Sequence, residues 1–275
     1  MTISNANTTR NEKLIWFGSI LLLFVILIYN LFAEKTVNNG AGYDGVFYRD
    51  LVNNFPAVLE KGFNGYKASR IFPFALCYLF LHLLPVQVND TIILYTVWLM
   101  AFVLLMAAVY YYHKLAVLCN WSFPIKITGF ILLFYHFGIL KFMGFYPILT
   151  DHFIFSISII SIYYFLKKNV PDLIILGLVA SFTWPSSLVI YLLLLLNSKV
   201  DTEKPVVVSK LQSTFFELLK IGFAFIPAVL FVYFIRRYNL WVNRSFLTAD
   251  WIYAMFRPFN FAVAVLSIIS TASSI

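Results

Sequence analysis

The sequence predicts an all-α, polytopic membrane protein, and three observations carry that prediction. Of its 275 residues, 61% are hydrophobic and only 12% are charged, and the mean hydropathy is +0.85. This apolar share lies well above that of a soluble domain. Apolar runs also recur along the chain at about the 20-residue length that spans a bilayer core. We therefore expect residues 1–275 to form one integral membrane domain, or the N-terminal part of a longer protein.

The apolar runs predict a transmembrane helical bundle of about seven to eight segments. The first run, residues 14–32, is too long for the core of a cleaved signal peptide and lacks a small-residue cleavage site. Two later runs are irregular, because one is short and ends in Pro85 and another contains Thr183-Trp184-Pro185-Ser186. The later runs are residues 71–86, 91–112, 127–145, 153–166, 173–196, 215–235 and 259–275.

The formal charge of +8 comes from Lys and Arg residues at the ends of apolar runs, not from one dense tract. This distribution indicates topology signals and contacts with membrane lipid headgroups, and it does not favour nucleic acid as a partner. The positive-inside rule places the following residues in the cytoplasm: Arg10, Lys13, His113, Lys114, Lys167, Lys168, Lys199, Lys204 and Lys210.

That orientation holds only if neither of the two irregular runs forms a single complete span. Residues 71–86 must not cross the membrane fully, and residues 173–196 must cross twice or form a hairpin. With both conditions met, the first loop and the region before Asp151 lie together on the non-cytoplasmic side. Cysteine and histidine add no further constraint, because their spacing matches no disulfide framework and no metal site, so no metal or other cofactor is expected.

The polar loop of residues 33–70 is expected to be ordered, extracytoplasmic and the place of a functional site. Its aromatic residues alternate with acids, amides and glycines, which is typical of an ordered surface. Asp44 stands in the glycine-flanked turn Gly42-Tyr43-Asp44-Gly45, where a carboxylate is able to take a proton from an acceptor hydroxyl or orient it. The alternative is an ordinary turn aspartate, since Asp beside Gly suits such turns.

Asp151 is the second candidate for a catalytic residue. It follows Tyr146-Pro147-Ile148-Leu149-Thr150 and stands just before an apolar run, where an acid within hydrocarbon is costly. The alternative is helix capping, because Thr or Asp before a helix satisfies free N–H groups and suits the helix dipole. The two roles are compatible.

The first loop resembles that of the GT-C fold glycosyltransferases, notably bacterial polytopic members. The likeness covers roughly the first 190 residues in layout and some ten in motif, and Asp151 looks like the Asp that begins a later helix in that superfamily. The family often has an Arg near position 184, where this chain has Trp. The motif consists of Tyr43-Asp44-Gly45, Tyr48, Tyr66, Arg70-Ile71 and Pro73.

The resemblance implies a GT-C-like bundle in which an acidic residue of the first loop, here Asp44, is the catalytic base and the donor is a sugar on a polyprenyl phosphate or pyrophosphate. Arg offers a planar bidentate fork for such a phosphate, although interfacial anchoring also explains basic residues there. The candidate substrate-binding residues are Tyr43, Tyr48, Tyr66, Lys67, Arg70, Arg236 and Arg237.

The function expected from this resemblance is transfer of a hexosyl or pentosyl group from a polyprenyl-phosphate-linked sugar to a cell-surface glycan, lipid or protein. The location would be a bacterial inner or plasma membrane. No nucleotide-binding fingerprint is present, which favours a lipid-linked donor over a nucleotide sugar. Two alternatives remain open: a transporter or flippase, because broken helices also line substrate paths, and a non-catalytic assembly subunit. The sequence leaves the sugar, the acceptor and the oligomeric state open.

Overall fold

The computed structural model describes residues 3–33, 35, 37–42, 44–61, 67, 70–184 and 187–197, which form helices and loops without a strand. A single 3₁₀ turn, Asn38–Gly40, lies between the first two of the helices described. The α-helices are α1 Ile3–Leu31, α2 Gly45–Asn53, α3 Phe55–Lys61, α4 Phe72–Leu83, α5 Asp90–Leu118, α6 Phe123–Phe134, α7 Phe137–Phe145, α8 Asp151–Leu166, α9 Val170–Ser181 and α10 Ser187–Asn197.

The helix boundaries follow from local sequence chemistry. Asn89 begins α5 by accepting a hydrogen bond from the Ile92 N–H at 3.0 Å, which satisfies one of the free donors at a helix start. Pro73 and Pro124 stand in the first turns of α4 and α6, where a missing N–H costs nothing. Helix α8 ends just before Lys168, which has a φ of +55°, because a residue in the left-handed conformation cannot continue a helix.

Among the described residues, two helices are long and apolar enough to cross a membrane, which fits a helical membrane protein. They are Arg10–Leu31 within α1 and the whole of α5, and α6 with α7 gives a third span if this pair, bent by 42°, is one broken helix. Two to three spans among the described residues are fewer than the expected seven to eight. Breaks after Leu83, at Lys167 and around Trp184 shorten the other described runs, and residues 215–235 and 259–275 lie outside the described residues.

The two long helices run antiparallel and define two ends of the bundle. Leu31 at the end of α1 and Asp90 at the start of α5 line the same cleft. We term this the loop end, and it also holds Asp44 and Asp151. At the opposite end, Trp16 of α1 stacks on Tyr112 of α5 with ring centroids 6.4 Å apart. We term this the basic end.

Helix α4 does not cross from one end to the other. Its 12 residues span about 18 Å, against a hydrocarbon core of about 30 Å. Near its start, Phe74 stacks on Tyr48 of α2 with centroids 4.3 Å apart. The chain then returns to the same helix, because Asp90 forms an ion pair with Arg49 of α2 at 3.0 Å. The structure therefore meets the first condition that the lysine distribution imposed.

Helices α9 and α10 form the expected hairpin. Leu173 near the start of α9 packs in one cluster with Leu195 near the end of α10. A Cβ atom on Gly177 would lie 3.0 Å from the ring of Tyr191, so the two helices approach closely. The turn between them is closed in part by the Trp184 N–H, which donates to the Ala180 carbonyl at 2.8 Å. The break predicted at residues 183–186 is thus a reversal of direction.

The basic end collects the described residues that the positive-inside rule placed in the cytoplasm. His113 lies 5.7 Å from Trp16 between ring centroids, and Lys114 lies 5.9 Å from the ring of Tyr163. Lys167 and Lys168 follow directly after α8 at the same end. The segment containing Lys199, Lys204 and Lys210 is outside the described residues.

Candidate functional site

Asp44 stands at the start of α2, on the surface of the loop end. Asn38, Asn39, Gly40 and Gly42 all have positive φ values, from +48° to +86°, and they turn the chain tightly between α1 and α2. Asp44 is exposed and occupies the N-cap position, but its side chain does not bond to the free N–H groups of α2. The position suits a negative charge because the helix dipole is positive there. The catalytic role and the ordinary turn role of Asp44 both stay predictions.

The Asp44 turn packs directly on the segment that leads to Asp151. A Cβ atom on Gly45 would lie 2.6 Å from the Ile148 carbonyl oxygen, and one on Gly42 would lie 3.4 Å from the Tyr146 ring. Only glycine permits the first of these contacts, because any side chain would overlap the Ile148 backbone. The two candidate acids thus belong to touching segments at one end of the bundle, as the sequence predicts.

Asp151 is the first residue of α8 and is half-buried. Thr150 takes the N-cap position and makes no capping hydrogen bond. Within the described part of the chain, the Asp151 carboxylate forms no ion pair; the one ion pair there joins Arg49 to Asp90. Asp151 therefore places a carboxylate at the positive end of the α8 dipole, and no ion pair with a described residue neutralises it.

Two buried polar side chains, those of Thr150 and His152, flank Asp151 and are not among the site residues predicted from the sequence. His152 is 1% exposed, and neither its ring nitrogens nor the Thr150 hydroxyl has a hydrogen-bond partner among the described residues. The backbone of Pro147 interacts with the His152 ring without completing a hydrogen bond of ordinary geometry. A buried unpaired polar group costs roughly 1–3 kcal/mol. The signal in the sequence was the polar triplet Thr150-Asp151-His152 ahead of an apolar run.

Arg70 is buried against the turn of the α9–α10 hairpin. Its guanidinium carbon lies 3.8 Å from the centroid of the Trp184 ring. The Phe72 N–H also donates to the Phe182 carbonyl at 3.0 Å, which fixes the start of α4 to the end of α9. A guanidinium this close to the face of an aromatic ring is held by a cation–π contact. Trp184, where the resembling family often has an Arg, is thus the platform for an Arg from another segment.

The remaining candidate substrate-binding residues divide into two groups. The Lys67 ammonium lies 4.5 Å from the Phe47 ring centroid on α2, and Tyr48 is buried in its stack with Phe74. This placement gives Tyr48 a packing role, and substrate binding by either residue stays a prediction. Tyr43, Tyr66, Arg236 and Arg237 lie outside the described residues.

A separate cleft of about 380 Å³ opens at the loop end between the end of α1 and the start of α5. Its polar lining includes Lys35, Asn39, Asp90, Thr91 and Tyr95. Lys35 donates to the carbonyls of Asn30 and Gly144, and burial lowers the pKa of its ammonium group. The sequence does not indicate this cleft, because Thr91 and Tyr95 stand inside an apolar run.

Comparison with known proteins gives no family model that matches the chain, no similar characterised protein and no similar solved structure. Within the described ranges, no group of three or more His, Cys, Asp or Glu side chains is placed to hold a metal ion. A functional assignment therefore depends on the residues and contacts of the loop end.

Proposed function

We propose that the protein is a membrane glycosyltransferase that moves a hexosyl or pentosyl group from a polyprenyl-phosphate-type donor to a hydroxyl of a cell-surface acceptor. The contact between Gly45 and Ile148 carries the proposal, because it joins the turn of Asp44 to the segment of Asp151. Two carboxylates are thereby supplied where the apolar helices stop. A lipid-linked sugar would present its phosphate and its anomeric carbon at that depth.

The proposed reaction is a direct displacement at the anomeric carbon. Asp44 accepts the proton of the acceptor hydroxyl while the acceptor oxygen forms its bond to that carbon. The bond between the carbon and the phosphate oxygen breaks, and the bonding electrons leave with the lipid phosphate. Arg70 stabilises the charge that develops on this leaving group. Asp151 orients the acceptor.

The surface beside Arg70 supports a lipid donor. Helix α4 begins two residues after Arg70, and its apolar side chains Leu76, Leu79, Phe80 and Leu83 are exposed. In a membrane, this face contacts hydrocarbon. A polyprenyl chain is able to lie along it while its phosphate reaches the guanidinium at the helix start.

The interior of the bundle favours an enzyme over a transporter. Residues 91–112 of α5 and 153–166 of α8 contain no charged residue. Transport paths usually place ionisable groups near the bilayer midplane. In both helices the charged residues stand at or near the ends, where a site for surface chemistry would need them.

The test compares Asp44→Asn with Asp50→Asn in the full chain reconstituted into liposomes. Both aspartates are exposed on the same segment, so Asp50 is a matched control. The assay follows release of polyprenyl phosphate from a panel of polyprenyl-phosphate sugars mixed with cell-envelope glycans. Loss of a general base typically slows a reaction by about 10²–10⁴-fold, and we expect this for Asp44→Asn alone.

Near-normal transfer by Asp44→Asn would return Asp44 to the status of a turn residue and remove the proposed base. A wild-type protein that moves the donor between leaflets without cleaving it would instead be a flippase. Wild-type protein that neither cleaves nor moves any donor would favour a non-catalytic subunit.

A further inference from the structure

We propose that the cleft between α1 and α5 binds a saccharide, and that it is the acceptor subsite of the enzyme. The second half of this statement rests on the proposed function, and the first does not. The cleft volume of about 380 Å³ falls within the range of small-molecule sites, roughly 300–1,000 Å³. A cleft of this volume suits one or two sugar rings better than a folded polypeptide.

The polar lining of the cleft matches the hydroxyl groups of a sugar. The carboxylate of Asp90, the amide of Asn39 and the hydroxyls of Thr91 and Tyr95 all belong to it. Carboxylates and amides accept hydrogen bonds from sugar hydroxyls, and amide N–H and hydroxyl groups donate to sugar oxygens. A sugar with adjacent hydroxyls would satisfy several of these groups at once.

Arg49 positions the Asp90 carboxylate for this role. Its Nη1 atom contacts the Oδ2 atom of Asp90 at 3.0 Å, and the side chains are 19% and 53% exposed, respectively. The largely buried Arg49 thus holds one oxygen of the more exposed Asp90. Among the described residues, the ion pair uses Oδ2 of Asp90, and Oδ1 is outside this contact.

The apolar lining supplies a stacking surface. Tyr95 is 43% exposed and Phe32 is also largely exposed, while Leu31 and Leu94, which also line the cleft, are buried. The C–H face of a sugar ring packs well on an exposed aromatic ring, which buries apolar area without removing the hydroxyls from their partners. The cleft therefore combines the two kinds of surface that a saccharide presents.

The charges of the cleft favour a neutral ligand over an anionic lipid headgroup. Lys35, the cation in its lining, already donates to the carbonyls of Asn30 and Gly144. Two of its three N–H donors are therefore already in use, and an anionic headgroup would also meet the Asp90 carboxylate. Repulsion between like charges at short range disfavours that arrangement.

The position of the cleft connects it to Asp44. Asn39 belongs to the 3₁₀ turn Asn38–Gly40, and Gly40 holds this turn against α5, since a Cβ atom there would lie 2.8 Å from Leu94. The same short stretch of chain continues to Asp44. A saccharide in the cleft would thus lie on the side of the protein that carries the proposed base.

The test measures saccharide binding to the full chain in nanodiscs by saturation-transfer NMR. The probes are methyl β-glucoside, methyl α-mannoside and N-acetylglucosamine. Removing the ring in Tyr95→Ala should weaken binding by about 3- to 10-fold, the equivalent of one aromatic contact, and Tyr95→Phe should weaken it less. Tyr110→Ala is the control, because Tyr110 lies on the same helix, is 54% exposed and stands towards the basic end.

Absence of saturation transfer from every probe, or equal weakening by Tyr110→Ala, would overturn the proposal. So would an anionic lipid that copurifies with the wild type and is lost in Tyr95→Ala, because a headgroup would then occupy the cleft. Donor cleavage separates the two proposals. Tyr95-dependent binding without any donor cleavage supports a saccharide site and removes the glycosyltransferase, whereas normal transfer by Tyr95→Ala keeps the enzyme and removes the subsite.

Discussion

Cations rest on aromatic rings at both ends of the bundle, as Arg70 does on Trp184, but among the described residues close backbone contacts through glycine distinguish the loop end from the basic end. At the loop end, glycines let backbone segments touch, as at Gly45 against Ile148 and at Gly144 against Asn30. At the basic end, cations rest on aromatic rings: the Lys126 ammonium lies 3.8 Å from the Trp16 ring centroid, and Lys114 lies 4.6 Å from that of Tyr110.

This difference indicates that the loop end requires more accurate geometry than the basic end. A backbone contact through glycine has no side chain that is able to move aside, so the two segments have little freedom to shift. A cation over a ring tolerates displacement and contributes about 0.5–1 kcal/mol when exposed. The loop end is therefore suited to hold reacting groups, and the basic end to anchor and orient the chain at a lipid surface.

The largest expected effect is an all-or-none difference in labelling between the two ends. In a background with Cys77→Ala and Cys119→Ser, single cysteines at positions 44 and 151 should react with a membrane-impermeant maleimide from one face. A cysteine at position 167 should react only from the other. Labelling of positions 44 and 151 from opposite faces would contradict the arrangement of the bundle.

Arg70→Ala should weaken the use of a polyprenyl-phosphate sugar by about 10- to 150-fold, since a hydrogen bond to a charged group is worth roughly 1.5–3 kcal/mol. Arg70→Lys should lose less, because it keeps the charge without the planar fork. The measurement is the KM for the donor, with membrane insertion checked for each variant. Equal wild-type donor KM for both variants would make Arg70 a simple interfacial anchor.

Gly45→Ala should destabilise the protein by about 1–3 kcal/mol, as overpacking a tight contact does. The added methyl group would push the Asp44 turn away from Ile148, so transfer should fall as well. Gly18→Ala is the matched control, since a Cβ atom there meets nothing within 4 Å. The readout is the denaturation midpoint in detergent, and equal midpoints for the two variants would mean that the loop end tolerates displacement.

Tyr164→Phe should have the smallest effect. It removes the hydroxyl pair of Tyr111 and Tyr164, 2.6 Å apart at the basic end, and should cost about 0.5–1.5 kcal/mol. Transfer should stay at the wild-type rate because the proposed reacting groups lie at the other end. A large loss of transfer with normal stability would show that the basic end takes part in the reaction.

The sequence predicts those features that depend on neighbouring residues. The membrane class follows from apolar length, the hairpin from the break at Trp184-Pro185, and the incomplete crossing of α4 from its short run. Among the described residues, fewer helices are long enough to span a membrane than the apolar runs predict, because breaks within and between the runs shorten the helices.

Contacts between distant segments could not be predicted in the same way. Arg70 and Trp184 are far apart in the chain, and neither residue indicates its partner. The cleft is not indicated by the sequence for a related reason. Asp90 has the position of a helix-start residue, and it pairs with Arg49 only because the chain returns to α2 after α4.

The return of the chain to the loop end after α4 also affects how the protein is inserted into the membrane. If the N-terminus stays in the cytoplasm, the segment between α1 and α5 must be delivered across the bilayer with its 12-residue apolar helix included. So short a helix is a weak stop for translocation. The 29-residue α5 then halts the chain, and His113 and Lys114 near its end keep that end inside. The orientation of the described helices that follow α5 thus depends on α4 being too short to cross the membrane.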